Sequence, residues 1–365
     1  MDIFLILFFI FSIFYILLLI VTFVGLSRLK KVKNNFNHSV SVVIAARNEE
    51  DRILPCLQSL EKLNYPQDKF EIIFVDDCSS DNTPAIINKF CNNHGNWKLI
   101  LLEQKSDKIK GKKNALLNGI KQSQGDIILT TDADCVVPPN WVTEMVNYFG
   151  PDVSMVIGHS PIAQKQGFYQ RILQFDNLFS AIAASAPTKL GHPISSIGRN
   201  LAYRKSAYED VGSFLALQQY RSGDDILLTE RFHYLNDGKI DFCAHPDTFV
   251  HTQPPETFSE IFHQQVRKNS KALLKSPSSI LFSVLLFLYY LYFLIFPILF
   301  PQYFTLWMIV FCAKFILEFI DLSKAAKIFK LSHTIKFIPI MQIIYPFHIM
   351  FFSVLGIFQL YQWKK

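Results

Sequence analysis

Cysteine is scarce in this chain and follows none of the spacings of a metal site or a disulfide framework. Six cysteines are spread over 365 residues, without a C-x-x-C pair and without histidines at the spacing of a zinc site. This argues against a zinc finger and against a small domain held by disulfides. We predict that the cysteines are reduced, mostly buried thiols of a protein that faces the cytosol.

Two glycine-rich nucleotide signatures are also missing. No G-x-G-x-x-G follows the first predicted strand, which counts against a dinucleotide-binding fold, and no G-x-x-x-x-G-K-[ST] occurs. The paired repeats of a secondary transporter are absent as well. The net charge of +6 is modest, and we expect no nucleic-acid partner.

Phenylalanine, by contrast, is abundant and is concentrated at the two ends of the chain, with 35 residues in all. The run from Ile3 to Leu26 is long enough to cross a bilayer, which takes ~20 residues. Asp2 precedes this run, and the basic residues Arg28, Lys30, Lys31 and Lys33 follow it. Because a cleaved signal peptide has a basic start, we predict an uncleaved anchor with its N-terminus outside and the following chain in the cytoplasm.

The C-terminal region contains two further apolar runs that predict spans, Ser279 to Phe300 and Tyr303 to Ile320. A cytoplasmic loop is predicted at Lys324, Lys327, Lys330 and Lys336. The run from Phe337 to Leu360 either spans the bilayer or, because it contains Pro339 and Pro346, is broken or re-entrant.

Lys314 and Glu318 are one helical turn apart within the predicted third span. Charges are costly there and are usually paired or functional. We favour a structural ion pair over a contact with a lipid headgroup or an acceptor.

Between the apolar ends, short apolar runs alternate with helical patterns. Strands are predicted over Ser41–Ala46, Glu71–Val75, Lys98–Leu102 and Asp126–Thr130, and helices over Glu49–Leu63, Pro84–Asn93 and Lys112–Gln122. Such alternation predicts an α/β fold with a mostly parallel sheet. Further along, strands are predicted over Ser154–Ile157 and Gly198–Tyr203, and helices over Phe168–Ala184, Asp224–Tyr234 and Phe258–Leu274. The last of these is amphipathic and basic, which suits an anionic membrane surface.

These patterns divide the chain into four predicted segments. Residues 1–27 form a transmembrane anchor and residues 28–256 a cytoplasmic α/β domain. Residues 257–276 form an amphipathic interface helix, and residues 277–365 a transmembrane region with two to three spans.

Asp132 and Asp134 follow the apolar run Ile127–Leu129 at the end of a predicted strand. In an α/β sheet, ligands bind at the carboxyl ends of the strands. Two carboxylates repel each other unless a cation lies between them, and hard oxygen ligands suit Mg²⁺ or Mn²⁺. The pair therefore predicts a metal site for a phosphate-bearing substrate.

Other polar residues follow the neighbouring strands. We expect the Asp76–Asp77 pair to contact a nucleobase or ribose, whereas Asp81 is assigned to capping the next helix. After the first strand, Arg47 is positioned to reach phosphate and Asn48 to cap a helix. Lys112 opens a helix, where backbone N–H groups and a lysine favour an anion.

Six motifs in this order resemble those of the membrane-bound glycosyltransferases of family 2. The resemblance covers roughly Ser39 to Lys271. It rests on Val43–Glu49, on Val75–Thr83 (V-D-D-x-S-x-D-x-T), on Gly111–Leu116 (G-K-x-x-A-L), on Asp132–Asp134 (D-x-D), on Gly198–Lys205 (beginning G-x-N-x-A-Y-R) and on Ser222–Asp225. The family includes synthases of hyaluronan, cellulose and poly-N-acetylglucosamine and the ceramide glucosyltransferases. It implies a GT-A fold flanked by transmembrane helices and an inverting transfer from a nucleotide sugar, most often UDP-linked.

The resemblance also implies roles for individual residues. Asp225 is implied to be the general base, with Asp224 and Arg267 as further catalytic residues. The implied donor-binding residues are Ala45, Arg47, Glu49, Asp76, Asp77, Lys112, Asp132 and Gln264. Gly198 and Asn200 are implied to lie beside the acceptor. The metal is assigned to Asp132 and Asp134, with His251, after the predicted strand Thr248–Val250, as a weaker candidate.

One position departs from the family pattern. Processive members carry Q-x-x-R-W, whereas this chain has Lys268 after Arg267. The family's tryptophan is implied to help hold the acceptor's terminal sugar, and a lysine cannot stack in that way. This favours single transfer to a membrane lipid or lipid-linked glycan on the cytoplasmic face of the cell (inner or plasma) membrane. Two alternatives stay open: a processive polysaccharide synthase, and a catalytically silent nucleotide-sugar-binding subunit of a synthase complex. A homo-oligomer or a synthase partner is left open as well.

Overall fold

The computed structural model describes residues 3–32, 34, 37–104, 106, 108–109, 111–220, 223–271 and 276–359. The chain divides into two compact units. Leu29–Ala163 and Ala183–Gln253 form what we call the sheet unit, and Met1–Arg28, Gln164–Ile182 and Pro254–Lys365 form the helical unit. Some predicted features lie outside the described residues, namely Lys33, Ser222, the helix end at residues 272–275 and the chain end from Leu360. The four predicted segment boundaries stay predictions.

One large sheet organises the sheet unit. The strands are β1 (Val40–Ala46), β2 (Phe70–Asp76), β3 (Trp97–Leu101), β4 (Ile127–Asp132), β5 (Cys135–Val136), β6 (Val153–Gly158), β7 (Leu201–Arg204), β8 (Lys239–Cys243) and β9 (His251–Thr252). Seven of them form a sheet in the order β3-β2-β1-β4-β7-β6-β8, while β5 pairs with β9. Strands β1 to β4 run parallel, and β7 is antiparallel to both of its neighbours. The predicted α/β fold with a mostly parallel sheet is confirmed.

Helices cover the sheet and form the helical unit. They are α1 (Ile3–Ser27), α2 (Ile53–Leu60), α3 (Thr83–Cys91), α4 (Lys112–Gln122), α5 (Trp141–Val146), α6 (Phe168–Lys189), α7 (Lys205–Asp210), α8 (Asp224–Leu235), α9 (Phe258–Ser270), α10 (Pro277–Leu299), α11 (Phe304–Ile328) and α12 (Ile338–Ile357). Short 3-10 helices occupy Gln67–Lys69, Phe214–Leu217, Pro246–Thr248, Pro301–Tyr303 and Ser332–Phe337. The sequence patterns did not predict β5, β8, β9, α5 or α7.

Three predictions about local structure in the sheet unit are corrected. The helix predicted from Glu49 begins only at Ile53, because the chain first makes a turn in which Arg52 N–H bonds the Glu49 carbonyl at 2.9 Å. Asn48 does not cap that helix: it has φ +52°, and its amide oxygen accepts the N–H of Ser80 at 2.9 Å. The strand predicted from Gly198 begins at Leu201, after a turn.

Among the described residues of the helical unit, four helical segments are long and apolar enough to cross a membrane, by length and composition: Ile3–Ser27, Pro277–Leu299, Pro301–Ile328 and Ser332–Ile357. Lys324 and Lys327 were predicted in a loop but lie in the last turns of α11. The last segment is not broken at Pro346, since α12 continues through it.

The ion pair predicted within α11 is confirmed as a structural pair. Lys314 Nζ lies 2.7 Å from Glu318 Oε1, and both side chains are 6% exposed. Tyr15 of α1 donates to the same carboxylate, and Gln342 of α12 donates to its other oxygen at 3.1 Å. The pair therefore joins three of the apolar helices.

Candidate active site

Three parallel strands bring predicted donor-binding residues to one edge of the sheet. Ala46 of β1 lies opposite Asp76 of β2, and Ala45 lies opposite Asp132 of β4. The side chains that follow these strands therefore meet at the carboxyl edge, where ligands bind in open α/β sheets.

The two acids of the D-x-D motif form a compact ligand cluster with a neighbouring thiol. One ligand atom from each of Asp132, Asp134 and Cys135 lies within 4.8 Å of the others. Cys135 is fully buried in β5, and its Sγ lies 3.6 Å from Asp134 Oδ1. Sequence reasoning missed Cys135, although it directly follows the motif.

His251 is not a member of that cluster. It was predicted to follow a strand, but Pro246–Thr248 form a 3-10 helix and His251 itself opens β9 opposite Val136. Burial lowers the pKa of His251, which favours a neutral imidazole. Among the residues that the structure describes, the ligand cluster at this edge includes both acids but does not include His251.

Lys112, the first residue of α4, donates a hydrogen bond to the Asp132 carboxylate. Burial raises the pKa of Asp132, but Lys112 and the Arg199 guanidinium lower it more, so the net shift is downward. Burial likewise works against the Lys112 charge, and Asp132 and Asp224 overcome it, which raises the pKa of Lys112. Both partners are therefore charged at neutral pH.

Asp225 lies in the first turn of α8, where the N–H groups of the helix favour a carboxylate. Its Oδ1 accepts the N–H of Ile226 at 2.9 Å, and its Oδ2 accepts the N–H of Gly198 at 3.2 Å. A Cβ at position 198 would lie 3.0 Å from the Cβ of Asp225, so a side chain there would crowd the acid. The motif glycine is thus explained by its close approach to the predicted base.

Asp224, beside it, interacts electrostatically with two lysines at the start of α4. It helps to raise the pKa of Lys112, and it opposes the burial that lowers the pKa of Lys113. Lys113 is 2% exposed and donates to the backbone carbonyls of Leu217 (2.9 Å) and Tyr220. It therefore holds the segment that precedes α8, a role that sequence reasoning missed.

The acids after β2 have different partners. Both carboxylate oxygens of Asp76 accept from Ser79, one from its N–H at 2.9 Å and one from its hydroxyl at 2.5 Å. Asp76 therefore stabilises the turn in which Cys78 has φ +57°. Asp77 is buried and lies 3.8 Å from the Arg47 guanidinium, whose side chain is exposed.

The loops that follow β1 and β2 are hydrogen-bonded to each other. Glu49 N–H donates to the Thr83 hydroxyl at 2.8 Å, and the Glu49 carboxylate pairs with Arg52 at 2.6 Å. Asp81 accepts the N–H of Thr83, the first residue of α3, at 3.0 Å and that of Glu50 at 3.2 Å. Asp81, which was predicted to cap α3, thus binds the first N–H of that helix, while the N-cap residue itself is Asn82.

Asn200 is fully buried, and its side chain joins three segments. Its Nδ2 donates to the carbonyls of His159 and Thr248, both at 2.7 Å, and its Oδ1 accepts from the Trp141 indole at 2.9 Å. These bonds fix the turn that contains Gly198. The contribution of Asn200 in this structure is therefore to hold the turn.

Arg199, in the same turn, was not among the predicted site residues. Its Nε donates to Ser160 Oγ at 2.7 Å, and its charge contributes to the lowered pKa of Asp132. Burial, with the Arg199 and His251 charges, lowers the pKa of His159 to about 3. The only feature of the sequence that pointed to Arg199 was its positive charge between the motif residues Gly198 and Asn200.

Gln264 and Arg267 belong to the helical unit, where they lie half-buried on α9. This helix begins with a capping box, in which the Thr257 hydroxyl accepts the Glu260 N–H and the Glu260 carboxylate accepts the Thr257 N–H. The predicted amphipathic helix is therefore present over Phe258–Ser270.

Comparison with known proteins identifies the family. Residues 127–320 match the family model for glycosyl transferase family group 2, and residues 41–212 match that for glycosyl transferase family 2. A poly-β-1,6-N-acetyl-D-glucosamine synthase of Staphylococcus epidermidis is 31% identical over 66% of this chain and 57% of its own length. A β-monoglucosyldiacylglycerol synthase of Synechocystis is 29% identical over 62% of this chain and 46% of its own.

The fold has solved counterparts as well. The mannosyltransferase PcManGT of Pyrobaculum calidifontis, in complex with GDP-mannose and Mn²⁺, superposes with a TM-score of 0.59 at 17% identity, covering 97% of this chain and 95% of its own. The chain spans about half the length of the curated relatives named above. The family group 2 model alone, over residues 127–320, covers more than half of this sequence. The chain therefore belongs to the family 2 glycosyltransferases.

Proposed function

We propose that this enzyme transfers one sugar, with inversion, from a UDP-sugar to a membrane lipid or lipid-linked glycan on the cytoplasmic face of the cell membrane. The observation that carries the proposal is the charged cluster at the carboxyl edge of the sheet. There Asp132 and Asp134 share a ligand cluster, Lys112 donates a hydrogen bond to Asp132, and Asp225 acts electrostatically on both Lys112 and Asp132. Such a cluster suits a diphosphate leaving group and an acceptor hydroxyl at neighbouring positions.

The residues present fit a divalent cation, Mg²⁺ or Mn²⁺. The carboxylates of Asp132 and Asp134 offer hard oxygen ligands whose ligand atoms lie within 4.8 Å of each other. The solved complex of the Pyrobaculum mannosyltransferase contains Mn²⁺, which supports the assignment. When bound, the ion would neutralise charge on the departing diphosphate.

The transfer itself is a single displacement. The acceptor oxygen bonds to the anomeric carbon while the bond from that carbon to the diphosphate oxygen breaks, which inverts the centre and releases UDP. The acceptor proton passes to the Asp225 carboxylate, which Gly198 and Ile226 hold in place through their N–H groups. Lys112 adds positive charge for the diphosphate, and the resemblance assigns the same task to Arg267 and donor contact to Gln264.

Binding of the nucleoside is proposed for the loops after β1 and β2. Arg47 and Asp77 form an ion pair there, while Asp76 and Glu49 act by holding the two loops. Ala45, near the end of β1, pairs with Asp132 of β4.

The proposal of a membrane acceptor is based on the helical unit. Its four long apolar helices support an acceptor that resides in a membrane, and Lys268 in place of the family's tryptophan favours single transfer. The Synechocystis relative is named for a glycolipid product. The Staphylococcus relative is named for a polymer, which keeps a processive synthase as the second candidate.

The test is UDP release by the purified full-length protein in detergent, with Mn²⁺ or Mg²⁺, a panel of UDP-sugars and extracted membrane lipids. We expect metal-dependent release with one sugar that increases with lipid, and a product one sugar heavier than the acceptor by mass. A ladder of product masses would favour the processive synthase. Binding of UDP without release from any sugar would contradict the enzyme assignment and favour a silent subunit.

A further inference from the structure

Asp176 of α6 is a buried carboxylate bound by three side chains from two other helices of the helical unit. It is 7% exposed. Its Oδ2 accepts from Gln265 Nε2 at 3.1 Å and from Lys268 Nζ at 2.6 Å, both on α9. Its Oδ1 accepts from the Tyr345 hydroxyl of α12 at 2.8 Å.

The charge of this carboxylate depends on Lys268. Burial raises the pKa of Asp176, but Lys268 and the three hydrogen bonds lower it more, so Asp176 is ionised at neutral pH. Lys268 also donates to the Ser180 hydroxyl of α6 at 2.7 Å. The lysine that replaces the family's tryptophan is therefore bound to α6 at its ammonium group.

The two donors on α9 fix the rotation of that helix. Gln265 and Lys268 are three residues apart and share one face of α9, and both reach the same oxygen of Asp176. Gln264 and Arg267 each precede one of these donors by one residue, which places them on the adjacent face, about 100° around the axis. A rotation of α9 large enough to redirect Arg267 would break both bonds to Asp176.

Contact with α12 fixes α9 in a second direction. A Cβ at Gly356 of α12 would lie 2.8 Å from the backbone nitrogen of Ser270 and 2.9 Å from the carbonyl carbon of Asn269. The end of α9 is therefore held close to α12, and Tyr345 of the same helix contacts Asp176. Helices α6 and α12 therefore both hold α9 in its position.

We propose that Asp176 is a positioning residue for the transfer reaction: it sets the rotation of α9 and hence the direction of the Arg267 and Gln264 side chains. Lys268 is its counter-ion rather than a contact for the acceptor sugar. The inference rests on the proposed function, in which Arg267 acts on the departing diphosphate.

The first experiment is a double-mutant cycle in steady-state UDP release, using Asp176→Asn and Arg267→Lys in the full chain. Misdirecting a catalytic group lowers kcat, and we expect Asp176→Asn to reduce kcat about 10-fold or more with little change in donor KM. In the Arg267→Lys background the same substitution should lower kcat less than about twofold, because its effect passes through Arg267. Equal losses in both backgrounds would overturn the inference.

A matched pair of variants separates positioning from general stability. Gln265→Met removes a donor on α9 and should lower kcat, whereas Tyr345→Phe removes the donor on α12, leaves both bonds between α9 and Asp176 in place and should lower kcat less. Lys165→Gln, which removes the exposed Lys165–Glu256 pair of the same unit, should change neither. A larger kcat loss for Tyr345→Phe than for Gln265→Met would contradict the proposal.

Hydrogen exchange of the α9 amides supplies a readout that needs no turnover. We expect faster exchange over Phe258–Ser270 in Asp176→Asn and Gln265→Met and unchanged exchange in Lys165→Gln. Unchanged exchange in the first two variants would overturn the inference by itself. If exchange changes but Arg267→Lys retains full kcat, the role proposed for Arg267 fails while the seating of α9 by Asp176 stands.

Discussion

Lys112 and Asp132 form an ion pair where the start of α4 meets the end of β4. The same carboxylate belongs to the D-x-D motif and is the proposed ligand of a divalent cation. A lysine and a metal ion that share one carboxylate compete for it, although both favour the negative diphosphate of a donor. Lys112 is therefore expected to influence metal affinity and turnover in opposite directions.

Substitution of Lys112 by Met tests this relationship. We expect kcat to fall about 10- to 100-fold, because a cation that stabilises the leaving group is lost. The Mn²⁺ concentration for half-maximal UDP release should fall, because Asp132 is freed from its partner. Lys121→Met, in the last turn of the same helix, is the matched control and should behave like wild type. A higher metal requirement in Lys112→Met would mean that the lysine supports the metal site.

Asp225→Asn tests the proposed base. Asparagine keeps an acceptor for the Gly198 N–H but cannot take a proton, so we expect kcat to fall at least about 100-fold with donor KM nearly unchanged. The measurement is UDP release at saturating acceptor. Asp237→Asn, an exposed acid that follows the same helix, serves as control. Turnover at a tenth of wild type or better would show that Asp225 is not the base.

The sequence alone was sufficient for features that depend on neighbouring residues. Strands β1, β2 and β4 are runs of β-branched and apolar residues that are almost wholly buried, and parallel strands covered on both faces have that composition. The parallel order then places the residues that follow them at one edge. This is why Asp76, Asp132 and their loops could be predicted together.

Features that depend on distant partners could not be predicted. Asn200 binds His159 and Thr248, which are 41 and 48 residues away, and Asp176 binds groups 89 to 169 residues away. A buried polar group needs a partner, but local spacing does not say which one. The roles of Asn200, Lys113 and Arg199 therefore emerged only with the folded chain.

Asn200→Ala should destabilise the sheet unit by about 3 kcal/mol, because two carbonyls and one indole N–H would lose their buried partner. Thermal unfolding in detergent, followed by intrinsic fluorescence, would measure the loss. Asn93→Ala, at an exposed residue of the same unit, should change stability by less than about 0.5 kcal/mol. Equal stability of the two variants would contradict the structural role of Asn200.

We predict that the free energy of unfolding depends on pH through the titration of His159. The pKa of its imidazole is about 3 in the folded protein, below the ordinary value of 6.5, so the unfolded chain binds more protons between these values. Stability should therefore be full above pH 6.5 and fall below it, by about 2 kcal/mol for one group between pH 7.5 and 5.

The measurement compares the unfolding midpoints of wild type and His159→Gln at the two pH values. The variant should lose less stability on acidification than wild type, even if it is less stable at pH 7.5. His192→Gln, at an exposed histidine, should retain the wild-type difference. An unchanged difference in His159→Gln would assign the acid sensitivity to other groups.

Variants of Lys314 and Glu318 can separate the destabilisation caused by an unpaired buried charge from the stabilisation that the ion pair itself contributes. Lys314→Met leaves the Glu318 carboxylate buried without its cation, and we expect a loss of about 3–5 kcal/mol. Adding Glu318→Gln removes that charge and keeps an amide oxygen that can accept from Tyr15, so the double variant should recover most of the loss. Denaturation in detergent would measure all three proteins. If the double variant were as unstable as Lys314→Met, the contribution would lie in the pairing itself, and α1, α11 and α12 would depend on it for their packing.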